Sequence, residues 1–206
     1  MNTTPITVRH LGLQPYEQIW RDMQHFTERR TTTTTDELWL LQHPPVFTLG
    51  KAGKTEHILN ANHIPVIKSD RGGQVTYHGP GQLVGYCLID LQQKHIGIKT
   101  LVQNLEQVII DLLAKYSIKA NTINNAPGVY IDKAKIASLG LRVKKGCTFH
   151  GFSLNVNMDL TPFAWINPCG FAGLQMTQLC DFTANPTVEK VAAHLQTTFC
   201  QQLHYE

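Results

Sequence analysis

Three strand-like runs, at 128–131, 135–143 and 147–156, follow one another almost without a break. Asp132-Lys133 and Lys144-Lys145-Gly146 supply the turns, so the only economical arrangement is an antiparallel meander. That meander constrains the rest of the chain, because its apolar face has to be covered. Two amphipathic helices are predicted upstream. In 14–29 the residues Tyr16, Ile19, Trp20, Met23 and Phe26 recur at three- and four-residue spacing, and 100–116 presents Leu101, Leu105, Val108, Ile109, Leu112, Leu113 and Tyr116. A third helix is predicted to start at Asn185 as N-cap with Pro186 in the first turn, and Val188, Val191, Leu195 and Phe199 form its stripe. Leu38–Leu41 reads as a strand that His43-Pro44-Pro45 interrupts and Val46–Leu49 resumes. Another strand is read at 65–68, and 74–77 and 83–91 read as a hairpin around Gly79-Pro80-Gly81. Thr161–Ile166 reads as a short helical segment. The order argues for an α+β domain spanning 1–206, with helices on a mixed or antiparallel sheet.

Composition narrows the function classes. The chain is 42% hydrophobic and 16% charged, an ordinary globular balance, and no apolar run approaches the roughly 20 residues of a membrane span. The net charge of +3 permits an acidic partner without demanding one, and there is no arginine stripe, so neither nucleic acid nor membrane is expected as a partner. Five cysteines, at 87, 147, 169, 180 and 200, make a poor disulfide framework. With no basic-then-apolar start, the expected location is the cytoplasm. The ten histidines lack ligand spacing, and Cys147 and His150 fall on opposite faces of a strand, so no metal is expected.

Chemistry concentrates in three places. Arg71-Gly72-Gly73-Gln74-Val75-Thr76-Tyr77-His78 joins glycines, a fixed cation and hydrogen-bonding side chains, without the spacing of a phosphate loop. Lys135 sits on a strand ahead of Ser138-Leu139-Gly140, and Asn167-Pro168-Cys169-Gly170 presents a thiol where the chain must turn. Cys87 reads as a core residue, Cys180 and Cys200 as packing or surface residues, and Cys147 as either. A nearby cation favours the thiolate that a nucleophilic cysteine needs. Lys135 is the best candidate for that cation, although spacing alone does not bring it to Cys169. Arg142, Lys144 and Lys145, with Lys133, read either as a solvated hairpin end or as a docking patch.

Taken together, the chain resembles the octanoyltransferases of lipoate biosynthesis, the lipoate-protein ligase B family. The likeness rests on the Arg71–His78 segment with Pro80-Gly81-Gln82, on Gly128-Val129-Tyr130 and on Lys135-Ile136-Ala137-Ser138-Leu139-Gly140. It continues through His150-Gly151-Phe152-Ser153-Leu154-Asn155-Val156 and Ile166-Asn167-Pro168-Cys169-Gly170. The resemblance implies a biotin/lipoate ligase-like fold around an acyl tunnel. It implies transfer of octanoyl from acyl carrier protein to a lysine of the lipoyl domains of 2-oxoacid dehydrogenases and of the glycine cleavage H protein. In that reading Cys169 is the nucleophile and Lys135 assists it. Arg71, Gly72, Gly73, Gln74, Val75, Thr76, Tyr77, His78, Ser138, Leu139, Gly140, Gly151, Phe152 and Ser153 bind the acyl group, with Tyr77, Leu139 and Phe152 as lining. No cofactor is expected, and a monomer is. The rivals are an ATP-dependent ligase of the same fold, a non-catalytic binder of lipoyl domains, and a cysteine hydrolase using His78 or His150.

Overall fold

In a computed structural model, which describes residues 4–206, the meander is the middle of a larger sheet. The first half of the chain forms β1 (Ile6–Leu13), α1 (Tyr16–Arg29), β2 (Asp36–Gln42), β3 (Val46–Leu49), β4 (Val66–Lys68), β5 (Val75–His78) and β6 (Gln82–Leu88). The second half forms α2 (Ile98–Ala114), β7 (Asn121–Ile123), β8 (Ala126–Ile131), β9 (Ala134–Lys144), β10 (Cys147–Asn155) and α3 (Val188–Leu203). Seven strands pair in the order β1-β2-β6-β10-β9-β8-β7, and a small second sheet runs β4-β3-β5. The architecture is α+β as expected, with both sheets mixed, since β1–β2 and β3–β4 are parallel.

Alternation of side chains along the central strands splits the core into layers. From β2, Leu38 and Leu40 join Leu83 and Cys87 of β6 under α2 and α3, whose buried residues include Leu101, Leu105, Val108, Leu112, Val191, Leu195 and Phe199. Trp39 and Leu41 point the other way, with Val84, Tyr86, Leu88 and Phe149, onto Ile19 and Met23 of α1. A third cluster lies against the small sheet: Phe47, Leu49, Ile64, Val75, Tyr77, Met158, Phe163 and Ile166.

Several expectations change. The sequence reading contains no β1, because this edge strand buries only part of each side chain and carries Thr7, Arg9 and His10 among its apolar residues. It also contains no β7, whose three residues are all exposed. The hairpin around Gly79-Pro80-Gly81 does not form. β5 pairs with β3, whereas β6 pairs with β2 and β10, so the turn passes the chain from one sheet to the other. Gly81 makes that passage possible: its φ is +85°, its N–H donates to Gln42 Oε1 at 2.7 Å, and a Cβ there would lie 1.9 Å from the carbonyl oxygen of Asn157. Likewise β3 does not resume β2 but belongs to the small sheet. α3 is capped by Thr187, whose hydroxyl accepts from the Lys190 N–H at 3.3 Å, while Asn185 takes a left-handed turn just before it.

The two meander turns form as read. Lys145 and Gly146 both have positive φ, the pattern of a two-residue type I′ hairpin turn. These turns lie at opposite ends of β9, so Lys145 stands roughly 30 Å along the strand from Lys135 at about 3.3 Å per residue. Lys144 also bonds Glu28 Oε1 at 2.6 Å. Arg142, Lys144 and Lys145 thus gather at the end of β9 opposite Lys135, while Lys133 lies in the turn beside it.

Candidate active site

Lys135 is the second residue of β9, and its backbone is stitched to the segment that follows Cys169. Its N–H donates to the Gln175 carbonyl at 2.8 Å, and its carbonyl accepts from the Thr177 N–H at 3.0 Å. Its side chain is buried, with 1% of the residue exposed. The ammonium donates to Cys169 Sγ at 3.1 Å and to the Pro127 carbonyl at 2.9 Å, and lies 5.2 Å from the Tyr130 ring centroid. Residues 34 positions apart in sequence are thus brought together as the thiol chemistry requires.

Cys169 occupies the middle of the tight turn Pro168–Gly170 with φ 57° and ψ 14°, a left-handed conformation uncommon for a side-chain-bearing residue. Pro168 before it and Gly170 after it, at φ 79°, shape the turn, and Gly170 N–H closes it onto the Asn167 carbonyl at 2.9 Å. Asn167 N–H in turn donates to the His57 carbonyl at 2.8 Å. Backbone strain of this kind concentrates at functional sites. Here it presents a half-buried thiol to both Lys135 and the cavity behind it.

That cavity has a volume of about 300 Å³. Arg71, Gly73, Gln74, Val75, Thr76, His78, Lys135, Ser138, Leu139, Gly140, Gly151, Phe152, Ser153 and Cys169 all line it. Gly72 and Tyr77 do not. Tyr77 points into the small-sheet core, its ring 5.6 Å from that of Phe47 and 5.5 Å from that of Phe163. Gly72 lets the loop close on β9: its N–H donates to the Leu141 carbonyl at 3.0 Å, and a Cβ on Gly140 would lie 2.9 Å from the Gly72 oxygen. Arg71 knits the loop together. Its guanidinium donates to Thr48 Oγ1 at 2.9 Å and to the carbonyls of Thr48, Gly72 and Gln74, so an always-charged group is held by neutral acceptors.

Tyr16, Val84, Tyr86, Asn125, Ala126, Pro127, His150 and Phe171 also line the cavity and were not singled out from the sequence as acyl-binding. Tyr16 and Tyr86 present ring surface as apolar wall, because their hydroxyls are already engaged. Tyr16 OH bonds Ser69 Oγ at 2.7 Å, Tyr86 OH bonds His43 Nε2 at 2.7 Å, and His78 Nδ1 bonds Gln82 Oε1 at 2.7 Å. Burial keeps them neutral, pulling His78 down to about 3 and His43 to about 4 and pushing Tyr16 up to about 12. His150 Nε2 is tied to Asp70 Oδ1 at 2.8 Å, and burial lowers its pKa as well. His150 Nδ1 is buried without a partner, but the side chain that contacts Cys169 Sγ is Lys135, not a histidine. Cys87 is fully buried and its thiol is pushed up by burial, which makes it inert. Among the described residues no group of three His, Cys, Asp or Glu could hold a metal ion, and no helix is long and apolar enough to cross a membrane.

The family model described as the lipoyl protein ligase A/B catalytic domain matches residues 14–200. The octanoyltransferase of Shewanella baltica strain OS155 is 56% identical over 206 residues, covering 100% of this chain and 95% of that protein. Among solved structures, one chain from the bi-partite lipoate protein ligase and E2 lipoyl domain of Thermoplasma acidophilum superposes with a TM-score of 0.80. It is 15% identical, with 98% of this chain and 85% of that one covered. Lipoate-protein ligase A bound with ATP superposes with a TM-score of 0.77 at 14% identity, covering 100% and 87%. At such identity the superpositions speak for the shared fold. The sequence match speaks for more: this chain belongs to the lipoyl protein ligase A/B catalytic domain family.

Proposed function

We propose that the chain moves an octanoyl group from acyl carrier protein to a lysine of lipoyl domains, those of 2-oxoacid dehydrogenases and the glycine cleavage H protein, through a thioester on Cys169. The observation that carries this reading is the 3.1 Å contact of the Lys135 ammonium with Cys169 Sγ at a largely apolar cavity. Both half-reactions balance through that pair. Cys169 as thiolate attacks the carrier thioester, and Lys135 gives its proton to the departing carrier thiol. The neutral lysine then takes a proton from the incoming amine as it attacks the acyl-enzyme, and Cys169 leaves as thiolate. A thioester is already activated, so no nucleotide is required. The Gln74 side chain suits the oxyanion. Its Oε1 accepts from the Lys54 N–H at 3.2 Å, and its Cγ and Cδ would lie 3.3 and 3.5 Å from a Cβ on Gly170, so the remaining NH2 is the side-chain donor assigned to the oxyanion.

The test is transfer to a purified lipoyl domain with and without ATP. Transfer from octanoyl-acyl carrier protein at the same rate in both supports the reading. Transfer of free octanoate that depends on ATP overturns it in favour of a ligase.

Leu139 and Phe152 face each other in the β9–β10 register and both line the cavity. Phe152 is also core, stacked over Gly85, where a Cβ would lie 2.2 Å from its ring. Leu139, half-buried, is the cleaner probe. Leu139→Ala removes apolar surface worth roughly 1–2 kcal/mol, so kcat/KM for an eight-carbon donor is expected to fall about tenfold more than for a four-carbon donor. Equal losses on both donors remove Leu139 from the acyl wall.

A further inference from the structure

The peptide joining Pro127 to Gly128 contacts the ammonium of the reactive pair. A trans peptide points its C=O and N–H in opposite directions. Here the Pro127 carbonyl accepts from Lys135 Nζ at 2.9 Å, and the Gly128 N–H donates to Oε1 of Glu106 at 2.9 Å. Glu106 lies on α2 and is half-buried. We infer that Glu106 is a positioning residue for acyl transfer: it fixes the Pro127–Gly128 peptide so that the Pro127 carbonyl holds one ammonium hydrogen of Lys135 and leaves another aimed at Cys169 Sγ.

An ammonium has three equivalent donors on a flexible stem, so its aim is set by its acceptors. Two of those acceptors are Pro127 O and Cys169 Sγ. The first can orient the lysine only if its own peptide does not turn. Gly128, at φ 138°, adopts a conformation open in practice to glycine alone, and that freedom has to be restrained by something outside the peptide. The space around it is also tight. A Cβ on Gly128 would lie 2.6 Å from the Ala137 carbonyl oxygen and 2.8 Å from Lys135 Cε, so this backbone lies directly on the lysine stem. Tyr130 fixes the neighbouring residue, its OH donating to the Ala126 carbonyl at 3.0 Å, but nothing in that bond holds the Gly128 N–H. Glu106 does. A carboxylate acceptor also polarises the peptide it binds, which strengthens the opposite carbonyl as an acceptor.

The inference rests on Lys135 and Cys169 being the reactive pair, and the experiment separates the two claims. The rate of Cys169 alkylation by iodoacetamide is followed by peptide mass mapping at one neutral pH, alongside transfer kinetics and thermal melting. The proteins are wild type, Glu106→Ala, Glu106→Asp, Glu106→Gln, Lys135→Ala and the Glu106→Ala/Lys135→Ala double variant. Glu106→Ala is expected to lower kcat and the alkylation rate about tenfold while KM stays within about twofold, the mark of a misplaced group rather than lost binding. Glu106→Gln keeps an acceptor oxygen at full reach and is expected to restore both rates to within about threefold. Glu106→Asp keeps the charge but retracts the acceptor by about 1.5 Å, one C–C bond, and is expected to behave as the alanine variant. If alanine folds poorly, the Asp–Gln contrast carries the test. In the Lys135→Ala background the Glu106 substitution is expected to add nothing to the loss of alkylation, because it acts through the lysine. Loss of melting temperature with unchanged kcat and alkylation, or equal losses in both backgrounds, overturns the inference while leaving the reactive pair intact. Unchanged alkylation in Lys135→Ala alone overturns the reactive pair and this inference with it.

Discussion

Cys169→Ser is expected to lower octanoyl transfer by roughly 1,000-fold or more, in line with the loss of a nucleophile elsewhere. A serine hydroxyl is far less readily ionised than a thiol, and one lysine beside it does not make up the difference. The swap is nearly isosteric and keeps the left-handed backbone at residue 169, so the fold is expected to persist. Transfer to a purified lipoyl domain, with circular dichroism and a thermal melt as folding controls, measures both. Transfer near the wild-type rate by a folded Cys169→Ser protein takes Cys169 out of the mechanism.

Lys135→Ala is expected to slow transfer by about 100-fold or more, the usual loss on removing a general acid–base group. Because Lys135 is 1% exposed, alanine also opens a void against Pro127 and Tyr130. Lys135→Met fills most of that void without the charge and isolates the chemical effect. Both variants are expected to alkylate more slowly at Cys169 than wild type at neutral pH. A methionine variant that transfers and alkylates at the wild-type rate shows that the lysine supplies volume and not chemistry.

Local pattern made the helices and the meander legible. α1, α2 and β8 to β10 carry their periodicity in contiguous apolar positions, and the structure places them within a few residues of the expected bounds. Pairing between distant strands was not legible. Nothing local in 75–88 says that β5 joins β3 while β6 joins β10, because that choice depends on what Gly81 packs against. β1 was missed for a related reason: an edge strand with one partner needs no continuous apolar run. At the site, residue chemistry pointed to Cys169 and Lys135, but their proximity is a tertiary fact. Tyr77, expected as lining, instead packs its ring between Phe47 and Phe163 of the small-sheet core, a tertiary outcome that the sequence of β5 does not decide. Tyr16 belongs to the apolar stripe of α1 and Tyr86 to a strand, and neither position by itself marks a cavity wall. Only the structure shows that their hydroxyls are consumed by Ser69 and His43, which leaves ring surface for an apolar chain.

In the proposed mechanism an acyl group rests on Cys169 between donor and acceptor. The direct measurement is the intact mass of the protein after incubation with octanoyl-acyl carrier protein, with neither nucleotide nor lipoyl domain present, followed by peptide mapping. A gain of one octanoyl group on Cys169 is expected, absent in Cys169→Ser and discharged when a lipoyl domain is added. Transfer that proceeds with no adduct on Cys169, or an adduct that forms only when ATP is supplied, contradicts that mechanism.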